Sequence, residues 1–169
     1  MSYFIHPLEK LTERKGHETT SGLLSFAFMN MLLNPKTYFD AQQEVDRVVG
    51  KGKVLPNHLK DLPYINAVLR ETLRLTPTAP AFARGVRPEN KEESVTIGTE
   101  KYAIPRDKGV LCLIGKIQRD PKVFGDDADV FRPERMLDGN FEKLPKNAWK
   151  VRNALLIMSY WDHSGTRRC

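Results

Sequence analysis

The sequence predicts an α+β protein, mainly α, in which helices come first and a small β-sheet and a long irregular segment follow. Apolar residues recur at helical spacing between Thr19 and Leu75, and this periodicity indicates helices. From Pro77 onward, prolines and glycines separate short β-prone runs, which is typical of strands and turns. Residues 119–144 are polar and rich in turn formers, so we expect an irregular meander there, with one short helix at 121–124.

Three helices are predicted in the first half of the chain. Residues 19–33 are apolar on nearly every side, which indicates a buried helix, and the polar residues 1–15 before it predict an irregular leader. Asn34-Pro35 is a typical start for a second helix, which runs to about Val49 before Gly50 stops it. A third helix opens at Asp61-Leu62-Pro63 and ends at Thr76-Pro77, because the residue before a proline avoids the helical region.

Four short β-prone runs follow the helices and predict the strands of the small sheet. They are residues 81–86, 95–97, 102–104 and 110–114. The sequence Pro105-Arg106-Asp107-Lys108-Gly109 predicts a tight turn between the last two runs.

Composition narrows the function classes. The chain has 169 residues, 40% hydrophobic and 28% charged, which is enough for one domain with a core. Its net charge is +6, but the basic residues are scattered among 21 acidic ones, so we expect no nucleic-acid partner and favour an acidic protein partner.

No stretch is apolar for long enough to span a bilayer. Two cysteines, Cys112 and Cys169, fit a reducing compartment, so we expect a cytoplasmic protein without a membrane anchor in this chain.

Glu71 and Arg74 are the strongest candidates for a buried ion pair. Their i, i+3 spacing places them on one helix face, beside Leu73 and Leu75, so we expect the pair to be half-buried. A buried charge must be paired, and one carboxylate can accept two guanidinium groups. Arg135 is the expected second partner. Taken alone, the Glu71–Arg74 spacing also fits an ordinary solvated helix pair.

Three motifs in this order resemble the cytochrome P-450 superfamily, the heme-thiolate monooxygenases. They are Gly16-His17-Glu18-Thr19-Thr20-Ser21-Gly22, Glu71-Thr72-Leu73-Arg74 and Phe131-Arg132-Pro133-Glu134-Arg135. The resemblance implies a partial P-450 fold: the end of the central helix, two following helices, a small β-sheet and an irregular meander. It implies a partial domain over residues 16–150, between a leader at 1–15 and a tail at 151–169 that lie outside the family. It also makes Glu71, Arg74 and Arg135 a structural triad that supports the heme pocket.

The resemblance assigns further roles around the pocket. Glu18 and Thr19 match the acid and the alcohol that relay protons to iron-bound dioxygen, a role that needs a positioned proton donor near the iron. The alternative is that these residues cap a helix N-terminus. Ala79 and Ala81 match residues that line the substrate pocket, with Phe82 behind them. A proline-rich connector with core alanines is the alternative for that segment.

Heme is the implied cofactor, yet its expected ligand loop is missing after Lys150. Gly165-Thr166-Arg167-Arg168-Cys169 matches the family's Gly-x-Arg-x-Cys pattern. This match arrives late, has Asp162 where the family has a phenylalanine, and has no helix after it to stabilise a thiolate. Cys169 is therefore a doubtful iron ligand, and the apolar run around Cys112 predicts a buried packing residue.

The amino-acid sequence of residues 127–135 and 145–150 resembles fungal fusion enzymes in which a fatty-acid hydroxylase is joined to an NADPH-dependent flavin reductase. The resemblance implies a parent that inserts one oxygen atom of O2 into a C–H bond of an apolar small molecule, with a fatty acid expected. Electrons would come from that reductase, and we expect this chain alone to be inactive. A non-catalytic helical interaction module and a truncated gene product, such as a retained intron, are the alternatives.

Overall fold

The computed structural model describes residues 9–85, 94–97, 101–145 and 148, with side chains from Glu18 onward. The helices in this part are α1 (Glu9–Leu33), α2 (Pro35–Val48), α3 (Pro63–Leu75), α4 (Ile114–Ile117), α5 (Pro121–Phe124) and α6 (Asp138–Lys143), with 3-10 helices at Pro56–Asp61 and Pro133–Met136. The strands are β1 (Ala81–Gly85), β2 (Ser94–Ile97), β3 (Tyr102–Pro105) and β4 (Gly109–Leu113). The described part is thus mainly helical, with small antiparallel pairs of strands.

Helix α1 begins well before the point that the sequence predicted. It starts at Glu9, so the prediction of an irregular leader is wrong for residues 9–15, while residues 1–8 lie outside the described part. Glu, Lys, Leu and Arg, which dominate this stretch, are good helix formers, and they extend the helix. Glu18 and Thr19 therefore lie inside α1, and the interpretation of these residues as an N-terminal cap is wrong.

The prediction that α1 is buried is also wrong within the described residues. Ala27 and Asn30 are buried, but Phe28 is 57% and Leu32 72% exposed. Helix α1 packs against α2 and α3. Each of these neighbours covers part of one face, so an all-round apolar helix keeps its other sides exposed in this part of the chain.

Helices α2 and α3 agree with their local signals. Pro35 is the first residue of α2, and Gly50 follows its end with φ +62°. Glycine adopts this left-handed conformation without steric cost, which is why it stops the helix here. Pro63 opens α3, and Leu75 is its last residue, one position before Thr76-Pro77.

The strands form two sheets where the sequence predicted one. β1 pairs with β4 and β2 pairs with β3, both antiparallel. The expected turn exists, since Lys108 N donates to Pro105 O over 3.0 Å. It joins strands of different sheets, because β4 pairs with the earlier strand β1, in the register Ala81 to Leu113.

The core of the described residues lies between α3 and the meander. Ala67 of α3 packs with Phe124, Ala128, Met136 and Ala148, all of which are buried. Helix α3 also contacts the Pro133–Met136 turn and α1. The meander is thus wrapped onto one helix, and the ion cluster on that helix lies beneath it.

Candidate functional site

Glu71 lies at the centre of a buried ion cluster on α3. Arg74 binds it with a two-pronged contact, in which Nε donates to Oε2 and Nη2 to Oε1, both over 2.7 Å. Arg135 Nε donates to the same Oε1 over 3.0 Å. Glu71 and Arg74 are 0% exposed and Arg135 is 8% exposed. The structure brings the three residues together, and the expectation of a half-buried pair is wrong because the meander covers it.

The donors that Glu71 does not occupy are directed at backbone carbonyls of the meander. Arg74 Nη1 donates to Gln118 O over 2.9 Å and to Ala128 O. Arg135 Nη1 donates to Phe124 O over 2.9 Å, and its Nη2 donates to Asp127 O over 3.0 Å. These carbonyls belong to a segment with little regular structure, and the two arginines supply the partners that a helix or sheet would otherwise provide.

A second carboxylate balances the cluster at its edge. Asp127 Oδ2 lies 3.0 Å from Arg135 Nη2 and 2.8 Å from Arg132 Nη1. The hydrogen bond from Arg135 holds the pKa of Asp127 below its ordinary value. The backbone N–H of Arg132 also donates to Glu71 Oε1 over 3.0 Å. Two carboxylates therefore face three guanidinium groups, and the meander is held to α3 by charge-assisted hydrogen bonds.

Glu44 is a structural residue that sequence reasoning missed. It is buried on α2, and its two oxygens accept from Tyr64 N and Ile65 N, each over 2.9 Å. A carboxylate at a helix N-terminus satisfies free N–H groups and complements the helix dipole. The signal was present in the sequence, because Thr37, Ala41 and Glu44 recur at helical spacing and share the buried face of α2.

The motif around Glu18 and Thr19 lies on α1 beside the predicted pocket segment. Glu18 is exposed and Thr19 is partly buried. One turn further, a methyl group added to Gly22 would lie 3.4 Å from Thr78 Cγ2, and Asn30 Nδ2 donates to Thr76 Oγ1 over 3.5 Å. Helix α1 thus runs along the segment that connects α3 to β1.

The predicted pocket residues lie on that connection and on β1. Ala79 is exposed, while Ala81 and Phe82 are partly buried. The alternative interpretation as core alanines is therefore wrong for Ala79, while the partial burial of Ala81 does not decide between the two interpretations. The guanidinium of Arg84 lies 4.8 Å from the centre of the Phe82 ring, a cation–π contact between two residues of β1.

A polar groove of about 770 Å³ lies elsewhere, between α2 and the start of α3. Its lining includes Lys36, Asp40, Tyr64 and Glu134. Tyr64 Oη donates to Glu134 Oε1 over 3.1 Å, and burial raises the pKa of Tyr64 to about 12. With both signs of charge in its walls, this groove does not suit an apolar substrate.

The described residues show no thiolate ligand for a heme. Cys112 is the cysteine in this part of the chain, and it lies half-buried on β4 opposite Phe82 in the strand register, rather than fully buried as expected. The described residues contain no group of three or more His, Cys, Asp or Glu side chains that could hold a metal ion. Cys169 lies outside the described residues.

The chain belongs to the cytochrome P450 family, whose model matches residues 15–150. It is 62% identical over 136 residues to a bifunctional cytochrome P450/NADPH–P450 reductase of Aspergillus oryzae, and 56% identical over 135 residues to a self-sufficient cytochrome P450 monooxygenase of Oidiodendron maius. A bifunctional enzyme of the same name from Acremonium egyptiacum is also 56% identical. These matches confirm the resemblance to fungal fusion enzymes.

The matches cover 80% of this chain but 12% to 13% of the length of these three relatives. The chain therefore corresponds to a fragment of a cytochrome P450. Its relatives include P450 enzymes that are fused to an NADPH-dependent reductase. Within the described residues, no helix combines the length and apolar character needed to cross a membrane.

Proposed function

We propose that this chain is part of the catalytic domain of a heme-dependent monooxygenase that inserts one atom of O2 into a C–H bond, with a fatty acid as substrate. The observation that carries the proposal is the carboxylate of Glu71 held by Arg74 and Arg135, within the segment that matches the family. Three relatives that join a P450 to a reductase, or are called self-sufficient, support an NADPH-dependent flavin reductase as electron source. The expected compartment is the cytoplasm.

Each group of residues has a role in this proposal. The triad of Glu71, Arg74 and Arg135 holds the meander to α3 and so maintains the framework around the pocket. Glu18 and Thr19 on α1 hold and pass protons, and the close approach of α1 to Thr78 at Gly22, one turn further along, supports their placement beside the pocket. Residues 16–150 form the partial P450 domain, and residues 1–15 and 151–169 lie outside it.

Ala79 and Ala81 leave room for an apolar substrate, and Phe82 packs behind them. The exposure of Ala79 supports this role, because a pocket-lining residue must be free of core packing. The chain alone is not expected to catalyse the reaction, since its described residues hold no thiolate in a suitable place.

A segment exchange tests the proposal. Residues 16–150 replace the matching segment of the Aspergillus oryzae relative, and the product is assayed for a thiolate-type Soret band in the carbon-monoxide difference spectrum and for NADPH-dependent hydroxylation of a fatty acid. We expect both from the exchanged enzyme, and neither from the isolated chain mixed with hemin. A folded, heme-loaded exchanged enzyme that gives no oxygenated product would overturn the proposed reaction.

Two variants of the exchanged enzyme test the structural triad separately. Arg74→Ala removes the buried partner of Glu71, and we expect it to abolish folded, heme-loaded protein. Arg47→Ala, at an exposed position on α2, is the control and should load heme normally. A stable, fully heme-loaded Arg74→Ala enzyme would contradict the role of the triad.

A second candidate, a non-catalytic helical interaction module, is favoured by the exposed apolar side chains of α1, such as Leu24, Phe28 and Leu32. The carbon-monoxide spectrum of the exchanged enzyme separates the two candidates, because only a heme-binding segment restores the thiolate-type band.

A further inference from the structure

The C-terminal end of α3 has a complete set of hydrogen-bond partners. The last four carbonyls of an α-helix have no partner within it, and in α3 they belong to Thr72, Leu73, Arg74 and Leu75. Thr72 O accepts from the backbone N–H and the hydroxyl of Thr76 over 2.7 and 2.9 Å. The three others accept from side chains that lie more than 40 residues later in the chain.

These side chains are the neighbours Gln118 and Arg119, which follow α4. In the amide orientation that satisfies its surroundings, Gln118 Nε2 donates to Arg74 O over 2.9 Å and to Leu73 O over 3.0 Å. Arg119 Nη2 donates to Leu75 O over 2.7 Å, and its Nη1 lies 3.0 Å from Asp129 Oδ1. Gln118 is 0% exposed, so its amide is shielded from bulk water.

The residues around Gln118 and Arg119 also hold the other end of the connection between α3 and β1. At the start of α4, Ile114 N donates to Pro80 O over 2.9 Å, directly before β1. Residues 114–119 thus contact the backbone at residues 73–75 and again at Pro80. Between these two contacts lies the non-helical connection Thr76–Ala79, whose position is determined by its two fixed ends.

We propose that Gln118 and Arg119 are positioning residues that fix the connection Thr76–Ala79, and with it Ala79, by capping the C-terminus of α3. The link to the pocket rests on the proposed function, in which Ala79 lines the substrate site. Loss of the caps leaves buried carbonyls without donors, and the end of α3 then loosens or turns to find water.

Hydrogen–deuterium exchange on this chain tests the positioning directly. Gln118→Met keeps the side-chain size but removes both donors. We expect the amides of Thr76 and Ile114 to exchange about tenfold faster, with α2 unchanged, since local opening needs fewer bonds broken. Gln43→Met, at an exposed position on α2, is the matched control and should leave all rates unchanged.

Arg119 provides the rescue experiment if Gln118→Met folds poorly. Arg119→Met removes the donor to Leu75 O, and Arg119→Lys restores one donor at the same place. We expect faster exchange at Thr76 in the first variant and near-normal exchange in the second. Equal acceleration at every amide, or no change at Thr76 and Ile114, would overturn the proposal because the effect would then be global or absent.

The exchanged enzyme separates this inference from the proposed function. There Arg119→Met should alter the KM for the fatty acid and the position of hydroxylation more than kcat. Altered amide exchange without any change in KM or product position would overturn the link between the cap and the pocket. If the exchanged enzyme without further substitution is inactive, while Gln118→Met or Arg119→Met still accelerates amide exchange locally, only the proposed reaction is overturned.

Discussion

Replacing Glu71 by glutamine removes the negative charge that Arg74 and Arg135 share, while keeping the size of the side chain. Four donors meet at this carboxylate: Nε and Nη2 of Arg74, Nε of Arg135 and the backbone N–H of Arg132. The amide of glutamine keeps one accepting oxygen and turns the other into a donor. One donor faces the NH2 group if it takes the place of Oε2, and three donors face it if it takes the place of Oε1.

The cost follows from the burial of the cluster. Removing one partner from a buried ion pair destabilises a protein by about 3–5 kcal/mol, because a charge is left uncompensated. A domain of ordinary stability has about 5–15 kcal/mol in total. A loss of about 4 kcal/mol, with a urea dependence of about 2 kcal/mol per molar, lowers the urea midpoint by roughly 2 M.

Urea unfolding followed by far-UV circular dichroism measures this change. Glu142→Gln makes the same chemical substitution at an exposed position on α6, and we expect it to stay within about 0.5 kcal/mol of the parent chain. If Glu71→Gln also stayed within that range, the carboxylate would not be needed to hold the meander, and the reasoning about the triad would be refuted.

Three further predictions use the same unfolding assay. Arg135→Lys keeps the charge but loses the planar fork, so we expect a loss of about 3 kcal/mol; Arg47→Lys is the exposed control, and equal stability of the two variants would contradict the fork. Glu44→Gln weakens the acceptor at the N-terminus of α3 and should cost about 1–2 kcal/mol, whereas Gln43→Ala should cost little; a stable Glu44→Gln would show that this cap is dispensable. Arg135 lowers the pKa of Asp127 below its ordinary value of 3.8, so this carboxylate adds stability above that pH, which is lost as the pH falls through the lower pKa of the folded state. Asp127→Asn should therefore show a weaker pH dependence of unfolding below about pH 4, and an unchanged acid slope would count against it.

Much of the fold could be predicted because its signals are local. Pro35, Gly50 and Pro63 define helix boundaries through their own backbone preferences, and the structure follows them. The short helix at 121–124 and the turn after Pro105 have the same origin. The partnership of Glu71 with Arg135 was also accessible, because a buried carboxylate needs a cationic partner and the resemblance to the family implied that Arg135 is that partner.

The sequence by itself determined where α2, α3 and α5 lie and which charges require a partner, since backbone preference and the cost of burying a charge belong to single residues. Only the tertiary structure decided that β4 pairs with β1 and that α1 keeps apolar sides exposed. It also decided that Glu44, Gln118 and Arg119 provide the hydrogen-bond partners for the backbone groups at the two ends of α3. The physical reason is that a helix end requires a hydrogen-bond partner of the right polarity but does not specify which distant residue provides it, and only the path of the chain makes that choice.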